Sequence, residues 1–126
     1  MTDTVLDTDA RVAADPRLRR LLESLVRGLD PVAVYLFGSR ARGTERADSD
    51  YDILLILPDD APRECMDPMA LYDFAIQTKV PADIVPCRET NFDQSRDLVG
   101  TLSYEAAHFG KRIYARAHNS AVAPRS

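Results

Sequence analysis

Two aspartates one residue apart, Asp50 and Asp52, stand at the head of a hydrophobic run, Ile53 to Leu57. Ten residues separate Asp50 from Ser39, which follows Gly38 at the end of another hydrophobic run, Val32 to Phe37. In an extended chain, residues two apart share a face, so Asp50 and Asp52 would point the same way. Their Cβ atoms would lie about 6–7 Å apart. Two like charges at that distance repel, and without a cation one would tend to hold its proton. A divalent ion removes the conflict. Magnesium takes oxygen ligands, keeps several waters, and is typically held by one or two carboxylates plus substrate phosphates. Two such ions can clamp the attacking and leaving oxygens of an in-line phosphoryl displacement.

Gly38-Ser39 fits the other half of that chemistry. Without a Cβ, Gly38 lets a phosphate approach the backbone and allows positive φ. Ser39 offers a hydroxyl and an N–H where a short helix could begin, and backbone N–H groups there favour anions. Arg40 and Arg42 add fixed positive charge, and Arg can grip phosphate with two parallel hydrogen bonds. Gly43 permits a tight exit. No G-x-x-x-x-G-K-[ST] occurs, so this is not a Walker loop.

A lone Asp-x-Asp or a lone Gly-Ser means little, but both at this spacing between hydrophobic strands is specific. The stretch resembles the signature of the DNA polymerase β-like nucleotidyltransferase superfamily: Gly-Ser, ten residues, then Asp-x-Asp. It is most similar to the small stand-alone group called minimal nucleotidyltransferases, the MNT partners of HEPN proteins. Gly38, Ser39, Asp50 and Asp52 match that motif position by position. Tyr51 stands where an aliphatic residue is more usual; it should face away from the metals, with a packing effect only. The resemblance implies an α+β polymerase β-like nucleotidyltransferase fold, a mixed sheet with helices packed mainly on one side. It also implies a third carboxylate on a neighbouring strand, and Asp83 is the only acid placed to supply it. On that basis Asp50 and Asp52 bind two Mg2+ ions, and Asp83 binds the one that contacts the acceptor hydroxyl. Gly38 and Ser39 hold the β- and γ-phosphates of ATP, with Arg40 or Arg42 assisting. Asp48 precedes the Asp-x-Asp register and is a loop or capping residue.

The elements that must position these residues follow from pattern. Asp15-Pro16 is a helix start, with Asp as N-cap and Pro at the first helical position. Leu18, Leu21, Leu22, Leu25, Val26 and Leu29 then form one apolar face. Arg17, Arg19, Arg20, Glu23 and Arg27 lie largely off it, as a solvated surface. Gly28 and Asp30-Pro31 end the helix. Val32–Phe37 has the continuous hydrophobicity of a strand covered on both faces. Strand two runs to Leu57 and stops at Pro58-Asp59-Asp60. Asp67-Pro68 repeats the cap-and-proline signal and opens a second helix through Val80, with Met66 and Met69 as core fillers. Asp83-Ile84-Val85, ended by Pro86, reads as a short third strand. Asn91 or Asp93 caps a third helix, with Leu98, Val99, Leu102, Ala106 and Phe109 on one face and Gly110 at its end. His108, late in that helix, has a surface or helix-dipole role. Ile113-Tyr114 makes a last short strand.

The 126 residues fit one domain. Residues 1–14 form a polar N-terminal segment, 15–114 the nucleotidyltransferase domain, and 115–126 a flexible tail. Hydrophobic content of 45% and charged content of 29% are ordinary for a soluble chain. A net charge of −4 argues against direct nucleic-acid binding, which usually shows a basic excess. No apolar run reaches the ~18–20 residues needed to span a membrane. The first residues are polar and acidic, so no secretory signal is expected and the location is cytoplasmic. Cys65 and Cys87 should then be reduced thiols, Cys87 a small buried filler.

One ~100-residue core offers little acceptor surface beside a nucleotide, so the acceptor should come with another macromolecule. The resemblance implies a HEPN-domain RNase toxin, with this chain as the antitoxin that transfers AMP from ATP to a tyrosine hydroxyl of the toxin. A hetero-oligomer with the toxin is part of that picture. Two other readings remain: a small-molecule nucleotidyltransferase of the aminoglycoside-modifying kind, and a non-catalytic antitoxin that acts by occlusion.

Overall fold

The structure is a computed structural model that describes Val12, residues 14–38, Ala41 and residues 50–116. Among the described residues, four helices and a four-stranded mixed sheet make an α+β fold consistent with the polymerase β-like nucleotidyltransferase class. Helix α1 spans Pro16–Leu29 and strand β1 spans Ala33–Phe37. Strand β2 spans Tyr51–Leu57, and a 3-10 turn covers Arg63–Met66. Helix α2 spans Pro68–Thr78, strand β3 Ala82–Arg88 and helix α3 Glu89–Ser95. Helix α4 spans Leu102–Phe109 and strand β4 Lys111–Ala115. The strand order is β3-β2-β1-β4. β1 is antiparallel to β2 and to β4, while β2 and β3 run parallel.

Local signals account for the helix ends. Asp15 caps α1 by accepting from the Arg17 and Leu18 N–H groups, at 3.1 and 3.2 Å. Asp67 does the same for α2 through the Met69 N–H, at 3.0 Å. Asp30 and Lys79 close the two helices in the left-handed conformation, with φ of 49° and 61°. Leu18, Leu21, Leu22 and Leu25 are buried along one stripe of α1, each worth roughly 1.5–3 kcal/mol in removal from water. Gly28 lets the Phe74 ring of α2 lie close against α1: a Cβ there would stand 2.9 Å from its Cε1, so the ring would have to shift. Arg20, on the expected solvated face, donates instead to the Thr78 carbonyl at the end of α2, at 3.0 Å.

The sheet separates two cores. The larger lies with α1 and α2 and includes Val34, Leu36, Tyr51, Ile53, Leu55, Leu57, Ile84 and Ile113. Val12, in the segment expected to lie outside the domain, is buried there too. The smaller lies with α3 and α4 and includes Tyr35, Leu54, Ile56, Cys87, Phe92 and Ala106. Burial of both faces explains why β1 and β2 are nearly continuous in hydrophobicity.

Three expectations need correction. β3 does not stop at Pro86 but continues to Arg88. It is an edge strand, so the missing proline N–H can face outward without costing a ladder bond. The third helix is two helices, α3 and α4, and the second is capped by Thr101 through the Tyr104 N–H at 3.1 Å, not by Asn91 or Asp93. Leu98 and Val99 lie in the break and are exposed, and Met69 is 77% exposed instead of filling the core.

The segment after β2 is fastened by Arg88. Its guanidinium Nη1 donates to the Asp59 and Ala61 carbonyls at 2.8 and 3.0 Å, and to that of Pro58 at 3.4 Å. The Asp59 carboxylate in turn accepts from the Thr90 N–H and hydroxyl. Arg88→Ala should lower stability by about 1–2 kcal/mol in urea unfolding, since several partly exposed carbonyls lose one charged donor. An unchanged unfolding midpoint would show that the clasp contributes nothing.

Candidate active site

The head of β2 lies between two neighbours. Asp52 is paired with Phe37 of β1 on one side and with Asp83 of β3 on the other. The flanking residues Tyr51, Ile53, Ala82 and Ile84 belong to the larger core. Strand alternation therefore turns Asp52 and Asp83 to the opposite face, that of Leu54, Ile56 and Cys87. The two acids are cross-strand neighbours on one face. Asp52 is half-buried and Asp83 exposed. Asp50 lies just ahead of β2 and is exposed.

Gly38 ends β1 in a turn with φ of 74°, and the Ala41 N–H donates back to its carbonyl at 3.2 Å. The Asp52 carboxylate rests against it. A Cβ on Gly38 would overlap Oδ2 of Asp52 and lie 3.1 Å from its Cγ. The glycine turn and the second acid of the motif are thus in contact. Ser39, Arg40 and Arg42, assigned to the nucleotide phosphates by sequence, lie outside the described residues, as do Gly43 and Asp48.

Among the described residues, no group of three acidic, histidine or cysteine side chains forms a ready cation site. The donor chemistry present is two carboxylates side by side on paired strands, with a third two residues upstream. That set suits magnesium, which completes its shell with water and substrate phosphate instead of an all-protein cage.

Tyr51 holds a role that its sequence position concealed. It is the largest of the fully buried side chains among the described residues, and its hydroxyl donates to Oδ2 of Asp15 at 2.6 Å. Its ring lies on the core face, opposite that of Asp52 and Asp83, and the hydroxyl bond gives it more than the packing effect expected from sequence. No local pattern could reveal this bond, because 36 residues separate its partners.

Other reactive groups stand apart from this chemistry. Burial pushes the Cys87 thiol above its ordinary value; hydrogen bonds with Ser103 and Asn91 pull the other way, and the Asp93 charge raises it. It therefore stays protonated near neutral pH, as suits a packing residue. Both cysteines are free thiols. His108 sits exposed in the last turn of α4, stacked on Tyr104 and 2.9 Å from Oδ1 of Asp97. Among the described residues no helix is long and apolar enough to cross a membrane.

A family model described as a nucleotidyltransferase domain matches residues 17–112. No curated protein matches the chain. Among solved structures, one described as a toxin–antitoxin with AMP-PNP is similar to 75% of this chain and 71% of its own, at 22% identity and a TM-score of 0.51. Another, from Sulfolobus solfataricus and provisionally described as a nucleotidyltransferase, shares 24% identity over 66% of this chain and 79% of its own, with a TM-score of 0.43. The first of these likenesses concerns the fold.

Proposed function

This chain belongs to the nucleotidyltransferase domain family, and from that premise we propose that it transfers AMP from ATP to a tyrosine hydroxyl of a HEPN-domain toxin, in a magnesium-dependent reaction that makes it the toxin's antitoxin. The observation that carries the reaction class is the pairing of Asp52 with Asp83 on one face, with Gly38 against the Asp52 carboxylate. The toxin partner rests on the motif Gly38-Ser39…Asp50-x-Asp52 and on a fold shared with a chain from a toxin–antitoxin structure that holds AMP-PNP.

Each residue has a part. Asp50 and Asp52 present carboxylate oxygens at the head of β2, and Asp83 adds one from the parallel neighbour. The Gly38 turn makes room for the Asp52 carboxylate and leads into Ser39, which with the Arg40 or Arg42 side chains holds the β- and γ-phosphates in line. The acceptor oxygen attacks the α-phosphorus, the bond to the β-phosphate oxygen breaks, and pyrophosphate leaves. The hydroxyl proton passes by way of the Asp83 carboxylate to solvent. A divalent cation held by these acids would neutralise phosphate charge and lower the pKa of the acceptor hydroxyl. The rest of the rate enhancement comes from positioning and preset charge.

The test is to incubate the protein with the HEPN-domain product of a neighbouring gene and α-labelled ATP, then read the partner by intact mass and peptide mapping. Adenylate on a tyrosine, absent when EDTA is added, is the expected result. Parallel incubation with aminoglycosides decides the small-molecule alternative: labelled drug with no labelled protein would overturn the assignment.

A further inference from the structure

We infer that Tyr51 is a positioning residue, whose hydroxyl bond to Asp15 sets the placement of the two acids that flank it. The inference rests on the nucleotidyl-transfer reading of the site and extends it to a residue with no chemistry of its own. Tyr51 stands between Asp50 and Asp52 and is clamped at both ends. Its N–H donates to the Pro81 carbonyl at 3.0 Å, which ties the head of β2 to the approach to β3. Its ring is 1% exposed, and the Arg17 guanidinium lies over it at 5.5 Å from the centroid.

The tether at the far end is stiff. Asp15 uses Oδ1 to cap α1 and Oδ2 to accept from Tyr51, so one carboxylate joins the first turn of a 14-residue helix to the first residue of β2. Because side chains alternate along a strand, a fixed Tyr51 on one face fixes where its neighbours emerge on the other. Asp50 most needs this. It lies outside the strand ladder, is exposed, and makes no side-chain hydrogen bond to another described residue. Its carboxylate is placed by the backbone that Tyr51 anchors. Groups that hydrogen-bond a metal ligand directly change metal affinity by about 10–100-fold, and Tyr51, which acts through the backbone beside the ligands, should fall at the low end of that range.

Tyr51→Phe removes the hydroxyl and keeps the ring. Asp15→Ser keeps a capping oxygen for α1 but is too short to reach Tyr51. Binding of Mn2+ with ATP, followed by electron paramagnetic resonance, gives a readout separate from catalysis. Either variant should bind the metal–nucleotide about tenfold more weakly, and the double variant no more weakly than the worse single one. The Mg2+ concentration for half-maximal transfer should rise in parallel, with turnover at saturating Mg2+ close to that of the parent. Asp67→Ala removes the cap of α2, which Tyr51 does not touch, and should lower the melting temperature without changing Mn2+ affinity. If Tyr51→Phe lowers the melting temperature but leaves Mn2+ affinity unchanged, Tyr51 is structural only and the inference is wrong, while the transfer reading stands. If the parent protein binds no Mn2+ with ATP, both fall together.

Discussion

Asp52→Asn is expected to cut adenylate transfer by about 10³-fold or more, while the far-UV circular dichroism spectrum and the unfolding midpoint stay close to those of the parent. The side chain keeps its shape but loses its charge and one ligand oxygen. Asp52 is placed to make that loss large. It is the one position in β2 that is not buried, and it meets Asp83 across the parallel ladder and Gly38 across the turn. A neutral amide there leaves Asp83 without its neighbour in any shared ion. Asp83→Asn should also slow transfer, but less, because the acid pair at the head of β2 is retained. Undiminished transfer by Asp52→Asn would reject the site. An Asp50→Asn, Asp52→Asn double variant that still silences its partner would favour occlusion over chemistry.

The residues that could be assigned from sequence were those whose signal is local. Asp15-Pro16 and Asp67-Pro68 announced two helices because cap and proline act within one turn. β1 and β2 were legible because both faces are buried, which leaves an unbroken apolar run. The Gly-Ser and Asp-x-Asp spacing showed where those strands must come together. What local pattern could not show depended on neighbours distant in the chain. Pro86 is a strand breaker in general but not on the outer side of an edge strand, and nothing near Pro86 tells where β3 lies in the sheet. Leu98 and Val99 fit a helical period with Leu102, yet Gly100, with φ of 97°, and the Thr101 cap interrupt it. Residue type likewise cannot separate a core methionine from one on the surface, and Met69 stands on the surface. The partnership of Tyr51 with Asp15 belongs to the same class. A local motif marks Gly38, Asp50 and Asp52 by their spacing, but it says nothing of a partner as far away as Asp15.

Gly38→Ala should produce the second large loss, at least about 10²-fold in transfer, and it tests the geometry more closely than removal of a charge. Two effects act together at Gly38. Its φ of 74° is in the left-handed region, where a non-glycine residue costs roughly 1–2 kcal/mol. Its missing Cβ is also the space into which the Asp52 carboxylate fits, so an added methyl must displace that carboxylate or the turn. Gly100→Ala separates the two effects. Gly100 has a φ of 97° and nothing within 4 Å of where its Cβ would stand. It carries the strain without the collision. Gly100→Ala should therefore lose about 1–2 kcal/mol in thermal unfolding and Gly38→Ala at least as much, but only Gly38→Ala should lose transfer. If the two lose activity equally, the contact between Gly38 and Asp52 does not govern the reaction and backbone strain alone accounts for the loss. If Gly38→Ala transfers adenylate as fast as the parent, the carboxylate has room to work elsewhere. The catalytic acids would then have to be sought away from the glycine turn.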